Sequence, residues 1–199
     1  FQLESRIAQI TARSLKPKRF EDIVALVALI RPGPLGANMH IEFADRATGK
    51  KEIEFLHEDL KAILEETYGV ILYQEQVMQI AQRISRFQLD ESDDLRKAMG
   101  KKISKVMEQQ RKKFTDGAIK NGYSEQFSIE LFDQIAFFAG YGFNKSHSVP
   151  YALIAYQTAY LKANFPAEYL SACLTAVKRD KERTAVFLAE ARELGVNVN

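Results

Sequence analysis

Apolar positions recur along this chain at helical spacing almost from end to end. The stretch KRFEDIVALVALI (18–30) is apolar over three turns and stops at RPGPLG, where Pro32 and Pro34 bracket a glycine and push the residues before them out of the helical region. Residues 37–56 are mixed, and EIEF (52–55) alternates like a short strand. HEDLKAILEETYG (57–69) predicts an amphipathic helix closed by Gly69. In VILYQEQVMQIAQRISRF (70–87), Val77, Ile80, Ala81, Ile84 and Phe87 fall on one helical face. LDESDDLRKAMG (89–100) predicts a helix with Asp90 as N-cap, acids in its first turn, bases in its last and Gly100 just past its end.

A long basic helix follows, ISKVMEQQRKKFTDGAIKNG (103–122), and Ser124 is placed to cap the phenylalanine-rich EQFSIELFDQIAFFA (125–139). VPYALIAYQTAYLKANF (149–165) is apolar around nearly its whole circumference and is expected at the centre of the fold. Two more helices finish the chain, within 167–178 and 181–195. The class is mainly α, with at most one or two short strands, in one multi-helix domain spanning 1–199.

Composition sharpens this picture. Of 199 residues, 46% are hydrophobic and 27% charged, the balance of a chain that folds. Cys173, the only cysteine, excludes an internal disulfide framework and sits in an apolar setting that predicts a buried thiol. The longest fully apolar run is too short to span a membrane. The histidines and the cysteine lack metal-ligand spacing. The sequence opens on FQLES without Met, which is expected of a piece of a longer protein.

The net charge of +2 is unevenly spread. Between Arg96 and Lys120, nine basic residues face only Glu108 and Asp116, a net +7 that leaves −5 for the rest. Such a block on a mildly acidic background predicts an anion site. Arg96, Lys97, Lys101 and Lys102 flank Gly100 at a helix–helix turn, a geometry suited to a phosphate chain, but GKK followed by Ile is not a Walker sequence. A second cluster lies in YGFNKSHSVPY (141–151). Gly142, Ser146, Ser148 and Pro150 are explained by turn and capping chemistry, with Ser146 or Ser148 as the cap and Pro150 in the first turn. That leaves Tyr141 and Phe143 to stack on a flat ring, Asn144 to read an amide or hydroxyl edge, Lys145 to meet a phosphate, and His147. Glu91, Asp93 and Asp94 suit a helix N-terminus better than a metal. With no paired catalytic carboxylates, the residues alone describe a binding module: a nucleic-acid binder using the basic block, or a helical protein docking an acidic partner.

FQLES, ALVALIRPGPLG, TYGVILYQEQVMQIAQ, LRKAMGKK, FAGYGFNKSHSVPYALIAYQTAYLKANFPAEY and CLTAV, in this order, closely resemble the bacterial DNA polymerase III α subunits, the family C replicative polymerases. The resemblance runs over essentially the whole chain and implies a fingers region. It implies nucleotidyl transfer from dNTPs onto a primer in DNA replication, with Mg²⁺ held by palm aspartates that lie upstream of FQLES, so that this part alone is inactive. Arg96, Lys97, Lys101 and Lys102 then take the dNTP phosphates. Tyr141, Phe143, Asn144, Lys145 and His147 take the base and sugar or the template, and Lys105, Arg111 and Lys112 take the DNA backbone. The implied partners are primer–template DNA, dNTPs, the remainder of the polymerase, and a sliding clamp and other replisome subunits reached through other regions. The implied location is the bacterial cytoplasm, at the nucleoid. Lys97 departs from the family's common arginine, keeping the charge but losing the bidentate fork. RIAQ (6–9) stands where many relatives carry a glycine.

Overall fold

A computed structural model describes residues 1–101, 104–139 and 141–198, without the side chains of residues 100, 101, 104, 105 and 139. Among the described residues there are twelve α-helices and no named strand. They are α1 (Arg6–Leu15), α2 (Phe20–Leu29), α3 (Pro32–Gly36), α4 (Met39–Ala47), α5 (Lys61–Leu64), α6 (Gln74–Ser85), α7 (Leu89–Lys101), α8 (Ser104–Lys120), α9 (Glu125–Ala139), α10 (Lys145–Asn164), α11 (Pro166–Val177) and α12 (Lys181–Glu193). None is long and apolar enough to cross a membrane.

Two cores organise them. Helices α6 to α9 pack together around Ile80, Ile84, Leu95, Phe114, Leu131 and Ile135. Helices α1, α2 and α4 and the start of α10 enclose the second core, with Leu26, Leu29, Phe43 and Ala152. The extended segment 70–73 divides the two. Val70 and Leu72 point into the second core, and Ile71 between them points into the bundle. Alternation of side chains along an extended backbone lets one short segment belong to both. Its hydrogen-bonding needs are met by a buried amide. Gln76 Oε1 accepts from Leu72 N and Tyr73 N at 2.9 and 3.0 Å, while its Nε2 donates to Thr67 Oγ1 at 2.7 Å and to the Ile63 carbonyl at 3.2 Å.

The face read for α6 is buried as expected, and Ser124 Oγ accepts from Phe127 N at the start of α9. Elsewhere the structure differs. The apolar pattern does not announce α1, which Ser5 caps. RPGPLG does not simply break the chain, because α3 forms within it. Pro32 and Pro34 occupy its first and third positions, where a missing N–H costs nothing. Residues 37–56 contain α4, and EIEF is no strand, since among the described residues no strand lies beside it to form a ladder. The 57–69 helix is broken into a 3₁₀ turn (Glu58–Leu60), α5 and a second 3₁₀ turn (Glu65–Thr67), and Tyr68 and Gly69 end it with φ of 53° and 79°.

The cap of α7 is Gln88, not Asp90: its carbonyl accepts from Ser92 N, and its own N–H donates to Glu91 at 2.7 Å. Helix α7 also continues through Gly100 to Lys101. Cys173, on α11, is only half-buried. The largest difference is α10, which is not central. Ser148, Ala152 and Ala155 are its buried residues, and its apolar circumference is largely open.

Candidate functional site

The motif 141–151 is gripped from three directions. Tyr73 and Phe143 form an isolated parallel bridge, in which Phe143 N donates to the Leu72 carbonyl at 3.1 Å and Gln74 N to the Phe143 carbonyl at 2.9 Å. Gln74 Nε2 adds a bond to the Gly142 carbonyl at 3.2 Å. From the turn between α2 and α3, the Arg31 side chain donates to the carbonyls of Ala28 and Tyr141, both at 2.7 Å, and lies 4.3 Å over the Phe143 ring. Burial holds its pKa below the ordinary arginine value. The Tyr141 ring rests on Gly33, where an added Cβ would approach Cδ1 to 2.5 Å. A hydrogen there is required for this contact.

Asn144 caps α10, accepting at Oδ1 from His147 N at 2.9 Å, so neither serine does. Ser146 is exposed, and Ser148 Oγ is buried and donates to the Val24 carbonyl at 2.6 Å. Counting from Lys145, Pro150 is the sixth residue of α10 and falls in its second turn, where it leaves the Ser146 carbonyl without a helical donor. The Lys145 N–H points at Glu75, whose two carboxylate oxygens lie 3.1 and 3.0 Å away, an internal anion at the positive end of α10. Lys145 Nζ donates to both oxygens of Glu66 at 2.8 and 2.7 Å and lies 5.6 Å over the buried Tyr73 ring. Burial, then the nearby Glu66 and Glu75 charges, push the Tyr73 hydroxyl pKa up. The His147 ring is exposed and stacks on Tyr151 at 4.5 Å.

Acids from outside the basic block, and Asp116 within it, pair with its cations. Arg96 Nη2 lies 2.7 Å from Asp93 Oδ1, and Lys97 Nζ lies 2.7 Å from Asp93 Oδ2 and 3.9 Å from Asp94. One carboxylate therefore holds both cations. Lys97 and then Arg96 lower the Asp93 pKa, and Asp93 raises that of Lys97. Arg111 pairs with Asp133, Lys112 with Asp116 and Lys113 with Glu91. Lys102 and the side chains of Lys101 and Lys105 lie outside the described residues.

The cations of α7 are held by the acids of their own helix, and Gln74, at the start of α6, holds Gly142 and Phe143. Arg31, Gln74, Glu75 and Gln76 build this arrangement. The helical face Val77–Ile80–Ala81–Ile84 points to core packing for α6 and gives no sign that its first residues, or Arg31, would hold the 141–143 segment. The polar residues YQEQ at the head of an otherwise apolar face were the available signal.

A family model described as the bacterial DNA polymerase III alpha subunit finger domain matches residues 1–122. The whole chain aligns with the DNA polymerase III subunit alpha of Mycobacterium tuberculosis (strain ATCC 25618 / H37Rv), 48% identical over 202 residues. It is 49% identical over 203 residues to those of Escherichia coli (strain K12) and Vibrio cholerae. The chain spans only 17 or 18% of the length of these relatives. The family match covers α1 to α8, which supply most of both cores and carry Arg96 and Lys97, and on it this chain belongs to the finger-domain family of bacterial DNA polymerase III α subunits.

Proposed function

We propose that this chain is the part of a replicative DNA-directed DNA polymerase that receives the incoming dNTP and the template base, and that it works only with the rest of that polymerase. The observation that carries this reading is that Arg96 and Lys97 converge on one carboxylate, Asp93, while Gln74 and Arg31 clasp the 141–143 segment. Arg96 and Lys97 already hold an oxyanion, Asp93, at 2.7 Å. A triphosphate, with several charges against one, exchanges for it with little rearrangement of the cations. Lys101 and Lys102 extend the same charge. On the other side, Asn144 uses Oδ1 for its cap and keeps its NH₂ as a donor to base or sugar. Tyr141 and Phe143 are fixed by Gly33 and Arg31, and the exposed His147 faces solvent beside them. Lys145 serves a phosphate only after leaving Glu66. Arg111, Lys112 and Lys105 on α8 contact the DNA backbone. A sliding clamp and other replisome subunits engage other regions, in the bacterial cytoplasm.

The resemblance brings Mg²⁺ with it. Among the described residues no three His, Cys, Asp or Glu side chains form a group that could hold a metal, and Asp93 and Asp94 face Lys97. These described residues do not fit the ion. Their contribution is charge and orientation on the nucleotide, which lower the barrier by positioning.

The test is steady-state kinetics of the full-length polymerase carrying Arg96→Ala or Lys97→Ala. KM for dNTP is expected to rise about tenfold or more, with primer–template Kd within about twofold, since a charge-assisted contact to the nucleotide is lost. Wild-type KM and kcat in both variants would refute the phosphate assignment.

A further inference from the structure

Helix α6 ends on an arginine where glycine is the usual choice. Arg86 has φ 55°, in the left-handed region that residues other than glycine enter at a cost. Backbone held there against its preference is a mark of functional sites. What this conformation gives Arg86 is a fixed direction for its side chain. Arg86 Nε donates to Asn121 Oδ1, just past the end of α8. Asn121 is itself held, because its Nδ2 donates to the carbonyls of Arg83 and Ile84 at 3.2 and 3.0 Å, in the last turn of α6. One nitrogen of the guanidinium is thereby occupied with orientation. Its two terminal nitrogens make no hydrogen bond or ion pair among the described residues.

Arg86 lines an open cleft of about 530 Å³ together with Gln82, Arg83, Gln88, Asn121 and Tyr123. Arg83 is already matched there: it pairs with Asp59, which also accepts from the Tyr123 hydroxyl at 2.6 Å. Arg86 is therefore the uncompensated charge of the lining. The Gln88 side chain, beside it, makes no hydrogen bond among the described residues and has an NH₂ to offer. A guanidinium with both terminal nitrogens open matches two oxygens of one anion. Two observations favour a phosphate of a DNA strand as that anion. The chain belongs to a DNA polymerase family. The basic helix α8 also runs to this cleft: Lys113 Nζ lies 5.1 Å over the ring of Phe87, another lining residue, and Lys120, two turns further along the same face, is exposed next to Asn121. Arg86 lies twelve residues beyond Gln74, about 18 Å along α6, which separates the cleft from the 141–147 cluster. We propose that Arg86 is a DNA-backbone contact that takes one phosphodiester in a bidentate pair, with Gln88 as a neighbouring donor. This rests on the polymerase reading and is independent of which residues hold the dNTP.

The test uses the full-length polymerase and a fluorescein-labelled primed template, with Kd followed between about 50 and 200 mM salt. Arg86→Gly removes the guanidinium and suits the left-handed backbone, so it is expected to fold with an unlowered melting temperature. Its plot of log Kd against log salt should be shallower by about 0.7–0.9, the loss of one phosphate, and its Kd at the lowest salt should rise about tenfold. Arg86→Lys should recover the slope, because charge sets it. In the native protein the primed template should shield Arg86 from phenylglyoxal, read peptide by peptide by mass spectrometry. An unchanged slope in Arg86→Gly overturns the inference and leaves the guanidinium to a carboxylate partner. Shielding of Arg86 by orthophosphate but not by the primed template also overturns it, making the cleft a site for a free anion, and so does shielding by neither. A native polymerase that binds no primed template overturns the polymerase reading and this inference with it, whereas normal DNA binding with an unchanged slope removes this contact alone.

Discussion

Arg31 and Tyr141 are 110 residues apart in the chain and are joined by a 2.7 Å hydrogen bond from the guanidinium to the carbonyl. The same guanidinium also holds the Ala28 carbonyl and covers the Phe143 ring, so one side chain ties α2 to the start of the candidate site. Lysine at this position keeps the charge but lacks the planar fork needed for all three contacts. Arg31→Lys is therefore expected to loosen the bridge it supports by about 1–3 kcal/mol. Hydrogen exchange at the Phe143 and Gln74 amides, each donating across that bridge, should accelerate roughly tenfold or more. Unchanged exchange at both amides would show that Arg31 is dispensable there.

Gln76 uses its whole amide inside the protein. Gln76→Leu fills nearly the same volume but strands the N–H groups of Leu72 and Tyr73. Buried donors without acceptors cost about 1–3 kcal/mol each. A fall in stability of roughly 2–4 kcal/mol is expected in denaturant melts, where the apolar substitution alone would predict a gain.

Asp22 sets an acid limit on folding. Its burial acts to raise its pKa, but the N–H groups of Lys18 and Arg19, the Tyr68 hydroxyl and the Arg19 charge outweigh burial and leave it below the ordinary 3.8. A carboxylate whose folded pKa is depressed contributes stability above its unfolded value and loses it as pH falls through the folded value. Stability should therefore decline as pH is lowered from about 4. Asp22→Asn should be less stable at neutral pH, and its melting temperature should fall less steeply in acid. Parallel acid curves for the two proteins would remove Asp22 from that role.

Gly117 reverses a rule of thumb. Glycine inside a helix is normally improved by alanine, by about 1 kcal/mol. Here an added Cβ would sit 2.5 Å from the Ser85 carbonyl oxygen on the crossing helix α6. Backbone cannot swing aside as a side chain can, so the clash is expected to win by about 1–3 kcal/mol. Gly117→Ala should melt below the native protein, and an unchanged or raised midpoint would mean that α6 and α8 separate at no cost.

The helices were legible because each is written locally. Val77, Ile80, Ala81 and Ile84 share a face whatever lies against it, and the acids and bases of α7 follow its own dipole. EIEF misleads for the opposite reason, since a strand exists only if another strand lies beside it. In RPGPLG the chemistry was visible but its sign was not. Two prolines end the preceding helix and also start the next, and only the path of the chain shows both.

The sequence by itself determined the helical class, the apolar faces and the residue types of the candidate site. It could not say that Asp93 rather than solvent occupies Arg96 and Lys97, or that Glu66 holds Lys145. It placed α10 at the centre on composition, whereas the structure leaves one side of that helix open. Periodicity is a property of one segment and its own turns. Ion-pair partners, burial and the clasp of Gln74 and Arg31 on the 141–143 segment depend on which segments are neighbours, and only the tertiary structure decides that.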